Sequence, residues 1–319
     1  MDQTVQWEIS KNIVAGVAIT SILFAISLYL PIFGFFCPFF IPLPILFYRS
    51  KLGRQMGAVV PALSFMVMVV LAGAVSPGIL FFLDLMLIGF ILGEIIEMNL
   101  PIERTVLYTF VIAMSAGIFC LILYGNMSDS GFRSLMENLS ASLDNFEATL
   151  YDKSTGMSEE NIRKMVGSMR NLRLLMRQMI PLIPGMAGSS VLFVIWTTLL
   201  MAKPVLKGRG LFYPDFGSLK LWKVPEFLVW GVIGCGSMLL IPDGTFKIIG
   251  LNGLLILMTI YFFGGIAIVS FYFEKKNFPF LLRSFLYALI LLQVMAQLFV
   301  IGLGFFDMWL NFRKLETEN

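Results

Sequence analysis

The sequence predicts an all-α, polytopic transmembrane helix bundle of about nine spans, with an amphipathic helical hairpin inserted between two membrane parts. Three observations lead there. Of 319 residues, 58% are hydrophobic and 13% charged, and the mean hydropathy is +0.86. A soluble domain carries about twice that charged fraction. Apolar runs of about 20 residues, the length that crosses a bilayer as a helix, recur along the chain. One long polar stretch, 126–179, interrupts them. The chain therefore divides into 1–125 with about five spans, the insert 126–179, and 180–319 with about four.

The first span is expected over Ile13 to Leu30, with Ala18, Ser21 and Ala25 on one face where a partner helix can approach. The next run, Ile32 to Tyr48, holds Pro38, Pro42 and Pro44 straight after Pro31. Each proline removes a backbone donor and crowds the preceding turn, so a broken or re-entrant span is expected. Arg49, Lys51 and Arg54 then read as a basic loop. Spans over Met56–Val75 and Gly78–Ile96 meet at Ser76-Pro77-Gly78, and another covers Thr105–Tyr124. In the second part, Pro181, Pro184, Gly185 and Gly188 open a sixth span irregularly. A basic loop, Lys203–Lys223, leads to Pro225 in the first turn of a seventh span, Val224–Ile241. The eighth and ninth spans are expected over Ile248–Phe273 and Phe280–Phe305.

Within 126–179 two apolar stripes recur at alternating steps of three and four. One runs Phe132, Met136, Leu139, Leu143, Phe146, Leu150; the other runs Ile162, Met165, Met169, Leu172, Met176, Met179. The first helix is acidic and the second basic, with Ser154-Thr155-Gly156 as the turn between them. Antiparallel pairing joins complementary faces; two separate helices lying on the membrane surface are the alternative. With the N-terminus inside, most of the remaining lysines and arginines fall inside, and the hairpin and C-terminus fall outside. The N-terminus lacks a basic leader, so the first span reads as uncleaved.

Composition also excludes functions. There is no histidine, which removes imidazole acid–base chemistry and most transition-metal sites. Cys37, Cys120 and Cys235 lie far apart in apolar runs and read as small core hydrophobes. No phosphate-cradling Gly-rich loop, nucleophile elbow or zinc-protease motif is present. No cofactor, no metal, no nucleic acid and no enzymatic activity are expected. The expected partners are the lipid bilayer, a protein at the hairpin or first span, and a small molecule of unknown identity.

Three stretches carry a family resemblance. They are Trp222-Lys-Val-Pro225, Asn252 with Tyr261-Phe-Phe-Gly-Gly265, and Gly302-Leu-Gly304-Phe-Phe-Asp307-Met-Trp309-Leu-Asn-Phe-Arg313. Together they resemble the YybS-like family of predicted bacterial membrane proteins, a domain of unknown function. That resemblance implies a class of membrane protein rather than a reaction. The small-residue first span and proline-broken second span are more distantly similar to substrate-binding subunits of energy-coupling-factor vitamin transporters.

The candidate site residues are few. Asp84 and Glu94 lie inside an apolar span, where acids mark a pathway or meet interfacial water and helix partners. Gln293 and Gln297, one turn apart, can line a polar cavity or bond between helices. Asn252 near a span end can bind a ligand or backbone carbonyls. The ligand-binding set is thus Asp84, Asn252, Gln293 and Gln297. Gly89, Gly93, Gly264 and Gly265 are expected at close helix contacts. Asp307, Trp309 and Arg313 read as an anchor at the membrane edge. Six residues do not share one helix face, so Asp307 and Arg313 are each expected to find a partner elsewhere. Glu226 is expected to favour a helix N-terminus. The function so read is transport-related, a binding subunit or carrier without its own ATPase; the alternative is an envelope scaffold that recruits a partner through 126–179.

Overall fold

The computed structural model describes residues 3–313 apart from 31–33, 35, 74–75 and 128–178. The expected hairpin lies almost wholly outside the described residues. The helices are α1 (Gln3–Tyr29), α2 (Pro42–Ala72), α3 (Pro77–Glu97), α4 (Ile102–Met127), α5 (Ile183–Lys207), α6 (Leu228–Leu240), α7 (Gly244–Lys275), α8 (Phe280–Leu292) and α9 (Val294–Leu310). Short 3-10 turns, Cys37–Phe40 and Ile180–Leu182, precede α2 and α5. Both carry proline near their start, where a missing N–H costs least. Among the described residues there is no strand, and the chain is a polytopic helical bundle.

Six stretches are long and apolar enough to cross a membrane, and Cys37–Ala72 is one of them. It reverses direction part-way. A methyl group added at Gly57 would lie 2.7 Å from the Arg49 α-carbon. Residues eight apart in a straight helix are separated by about 12 Å, so the chain must reverse between them. The reversal is at Gly53, whose φ of 78° and ψ of 177° suit glycine almost alone. Gly16 of α1 confirms the geometry, since a methyl there would meet both Tyr48 and Val60. Arms 42–52 and 54–72 are thus antiparallel. Gly53→Ala is expected to destabilise the protein by about 1–3 kcal/mol, read as a lower thermal midpoint in detergent.

α1, α3, α4, α5 and α7 are each long and apolar enough to cross, and α2 folds back on itself at Gly53. The passage through α6 is short, about 20 Å of helix. It lies closely against α7, where Gly253 meets the Cys235 sulfur and Gly250 meets the Cys235 carbonyl. The core is built where α2, α3 and α5 meet, around Ile45, Leu46, Met68, Leu85, Met86, Leu92, Ile195 and Leu199. Large apolar side chains such as Val70, Phe119, Trp230 and Leu240 face outward, as a lipid environment favours.

The expected ninth span does not cross. Its two halves, α8 and α9, are bent by 100° at Gln293, which takes an extended backbone. α8 starts just after Lys275 and Lys276 at the end of α7. α9 returns to that same end, where the Tyr272 hydroxyl donates to the Phe312 carbonyl at 2.7 Å. The pair is therefore re-entrant, and this corrects the expected position of the C-terminus: Arg313 sits at the α7 end, where Lys275 lies. Continuous hydrophobicity could not show the break, because no proline or glycine marks it. The Gln297 side chain makes the break tolerable by donating to the Leu291 carbonyl at 2.7 Å.

One end of the bundle gathers the charged contacts. Lys51 donates to Asn12 at 2.8 Å, Arg49 pairs with Glu94 and Glu97, Trp222 donates to Glu103 at 2.9 Å, and Lys220 pairs with Glu274. The segment 208–227 lies across this end. It is held down by Tyr213, whose hydroxyl donates to the Leu199 carbonyl at 3.0 Å. Burial pushes the Tyr213 phenol up to about 12.

Candidate functional site

The charged end is organised around Asp307 and Arg313. The expectation that these two find partners elsewhere is corrected: Arg313 donates to Asp307 at 2.6 Å, and both side chains are buried. The helix-face argument fails because α9 stops at Leu310. Asn311 takes a left-handed conformation (φ 39°) and turns the chain back over its own last turn. The Phe312 N–H then donates to the second Asp307 oxygen at 3.0 Å. The other arm of the guanidinium donates to the Lys220 and Trp222 carbonyls at 2.8 and 2.9 Å. One ion pair thus ties the end of α9 to the segment before α6. The expected anchor divides accordingly. Trp309 faces outward at 55% exposure and packs edge-on against Phe305, whereas Asp307 and Arg313 point inward.

Trp222 extends this lock. Its indole packs on Trp196 at 4.6 Å, and Trp196 stacks on Phe263 at 5.3 Å. Its N–H reaches Glu103 at the start of α4, so one residue joins α4, α5 and α7. α9 crosses α7 where side chains are missing. A methyl added at Gly265 would lie 1.9 Å from the Val300 carbonyl oxygen, and one at Gly304 would lie 2.0 Å from that of Tyr261. Gly264 faces Val224 across the same seam.

Beside this crossing a cleft of about 260 Å³ opens, lined by Glu103, Lys223, Val224, Pro225, Glu226, Val229, Tyr261, Gly304, Asp307 and Met308. Tyr261 is one of the lining residues, and its hydroxyl, closed to solvent, has no hydrogen-bond partner among the described residues. A buried hydroxyl without a partner is costly, and a polar ligand group would relieve it. Pro225 and Glu226 stand just before α6, where their carbonyls accept from the Leu228 and Val229 N–H groups, and Glu226 lines the cleft.

A second buried charge lies at the Gly53 reversal. Arg49, expected in an exposed basic loop, is 1% exposed. It donates to Glu94 at 2.9 Å and Glu97 at 2.8 Å, and Arg54 approaches Glu94 at 3.5 Å. Its stem lies against glycines. A methyl at Gly93 would lie 2.5 Å from the Arg49 Cδ, and one at Gly89 would lie 2.3 Å from the Pro42 carbonyl oxygen. The sequence carried one usable signal: Gly57 and Gly93 leave room for a large side chain, and Glu94 and Glu97 supply its counter-charge.

The remaining candidates are scattered. Asn252 is fully engaged. It donates to the Pro181 and Ile248 carbonyls at 2.9 and 2.8 Å and accepts from the Gly185 N–H. It therefore holds the irregular start of α5. Asn252→Leu is expected to cost about 1–3 kcal/mol, measured as a drop in thermal midpoint, because two backbone groups lose their partner. Gln293 and Gln297 sit at the α8–α9 apex. Asp84 lies between α3 and α4, with its carboxyl about 3.6 Å from where a Gly117 methyl would sit. None of Asp84, Asn252, Gln293 and Gln297 lines the cleft beside the α7–α9 crossing. Among the described residues no cluster of three His, Cys, Asp or Glu could hold a metal.

The comparisons add one family. A family model described as a predicted membrane protein, domain-of-unknown-function family 2232, matches residues 18–308. No curated protein and no solved structure matches. The YybS-like resemblance fits this family, and the likeness to energy-coupling-factor subunits is not shown.

Proposed function

The chain belongs to family 2232 of predicted membrane proteins, and from that premise we propose that it binds a small polar molecule within the membrane as a carrier or carrier subunit. The observation that carries this reading is the re-entrant α8–α9 pair. Secondary transporters build substrate sites from discontinuous helices, whose ends expose backbone groups inside the protein. Here the broken pair has glutamines at its apex, and its returning arm walls a cleft lined by Tyr261, whose buried hydroxyl has no partner among the described residues. Wide lipid-facing surfaces on α8 support a pair able to move against its neighbours. Phe280, Leu281 and Leu292 are each about four-fifths exposed. No catalytic constellation is part of this reading.

The test is a thermal-unfolding screen of the full-length protein in detergent against amino acids, nucleosides, sugars and vitamins. A ligand at 100 times its Kd stabilises the native state by about 2.7 kcal/mol. The expected result is that one chemical class raises the midpoint of the wild type and fails to raise that of Tyr261→Phe. If no class shifts the wild type, or the variant responds equally, this cleft is not a ligand site. The placement of the N-terminus inside belongs to the same reading, since the lysines and arginines of 49–54 and 203–223 share one end of the bundle.

A further inference from the structure

We propose that Asp84 is a proton-binding site inside the bundle, independent of whether the cleft binds a solute. Asp84 lies in the second turn of α3, within a candidate span that starts at Gly78. One carboxylate oxygen, Oδ1, is fully buried and has no hydrogen-bond partner among the described residues. No cation pairs with it there. Arg49 and Arg54 of α2 are committed to Glu94 and Glu97, about 15 Å further along α3. From α1, Phe24 packs on the adjacent Phe82 at 4.8 Å; the charged groups of α1, Glu8 and Lys11, lie at the opposite end of that helix, and its phenol, Tyr29, ends the near one. α5 carries only Lys203 and Lys207, in its last turns at the charged end. From α4 the carboxyl is faced by Gly117, and Cys120 is the titratable group one turn on.

This arrangement separates Asp84 from Glu94, the other acid of α3. Glu94 is compensated by two arginines and is part of the packing. Asp84 has no counter-charge among the described residues, and its Oδ1 is closed to water. Ionising a carboxyl so placed is costly, so the state that fits the closed α3–α4 seam carries a proton. Gly117 is suited to the site because it places no side chain over the carboxyl. A methyl there would stand in van der Waals contact with all three carboxyl atoms, at 3.6–3.7 Å. Opening of the α3–α4 seam to water lets the carboxyl ionise, and closing requires the proton to return. The conformational equilibrium of this seam is thereby linked to proton binding.

The probe is an apolar carbodiimide, which enters the membrane region and modifies protonated carboxyls. The full-length protein in detergent is treated near neutral pH and mapped by mass spectrometry. The expected result is modification of Asp84 at least tenfold above that of Glu94 on the same helix. Equal or lower modification of Asp84 would overturn the proposal. Infrared spectra supply a second reading with the isosteric variant Asp84→Asn. The C=O band of a protonated carboxyl should be present in the wild type and missing in the variant. A band that is absent from the wild type, or retained unchanged in the variant, would also overturn it. Should the variant fail to fold, the labelling of the wild type decides alone.

Discussion

A protease-cleavable tag after Asn319 and one inserted at Gly208 will be cut from the same side of the membrane, and one at Gly244 from the other. The re-entrant α8–α9 pair demands this. Phe312 is bonded to Tyr272, and Arg313 is bonded to Lys220 and Trp222, so the chain leaves the bundle at the end where segment 208–227 lies. Six further residues span at most about 21 Å when fully extended, short of a hydrocarbon layer of about 30 Å. A straight ninth span, as continuous hydrophobicity suggests, would put the C-terminus with Gly244. The effect is all-or-none. Sealed vesicles of one orientation, treated with protease outside only, separate the two arrangements. Cleavage after Asn319 together with Gly244, and protection of Gly208, would mean that α8 and α9 cross.

The largest single-residue effect is expected for Arg313→Ala. The variant leaves Asp307 buried without its counter-charge and removes the donors to two carbonyls of the segment before α6. Breaking a buried pair from one side costs about 3–5 kcal/mol, because the remaining charge is left uncompensated. The thermal midpoint in detergent should fall accordingly. Removing both charges, in Asp307→Asn with Arg313→Ala, should recover part of the loss, since no buried charge then remains alone. Arg49→Ala should be milder. The partners it abandons, Glu94 and Glu97, keep 22% and 54% of their side-chain surface and can be solvated. If Arg313→Ala and Arg49→Ala lower stability equally, the buried position of the Asp307 pair is not what sets its value.

The Asp307–Arg313 pair also shows why only part of the site was legible. Both residues stand out in the sequence, in a stretch that carries the family resemblance. Their pairing was invisible because helix periodicity was extended past Leu310, where Asn311 reverses the chain. Arg49 failed for a related reason. In an apolar chain a cluster of lysines and arginines reads as a loop, and nothing local tells that one of them turns inward. Its burial depends on Gly57 and Gly93 leaving space, and Gly57 lies beside it only because Gly53 turns the chain back. Asn252 was legible as a polar residue near a span end. Its two bonds to the start of α5, with Pro181 and Gly185, join residues about 70 positions apart, which no local pattern encodes.

Composition and the roughly 20-residue apolar period were enough to establish the membrane class, the all-α fold and most helix positions. Both follow from one rule acting locally: in lipid each backbone group must be satisfied within its own helix. The proline-broken stretch before Tyr48 and the irregular start of α5 were also local, because proline acts on its own turn. What only the tertiary structure decided is where chain direction and charge depend on distant neighbours. The 100° bend at Gln293 has no proline or glycine to announce it, and it exists because Gln297 caps the freed carbonyl and α9 finds its path across α7 at Gly265 and Gly304. Whether an acid is neutralised or left alone was likewise settled by its neighbours. Glu94 and Asp84 look alike in the sequence, but Arg49 reaches the first, whereas the buried Oδ1 of the second has no hydrogen-bond partner among the described residues.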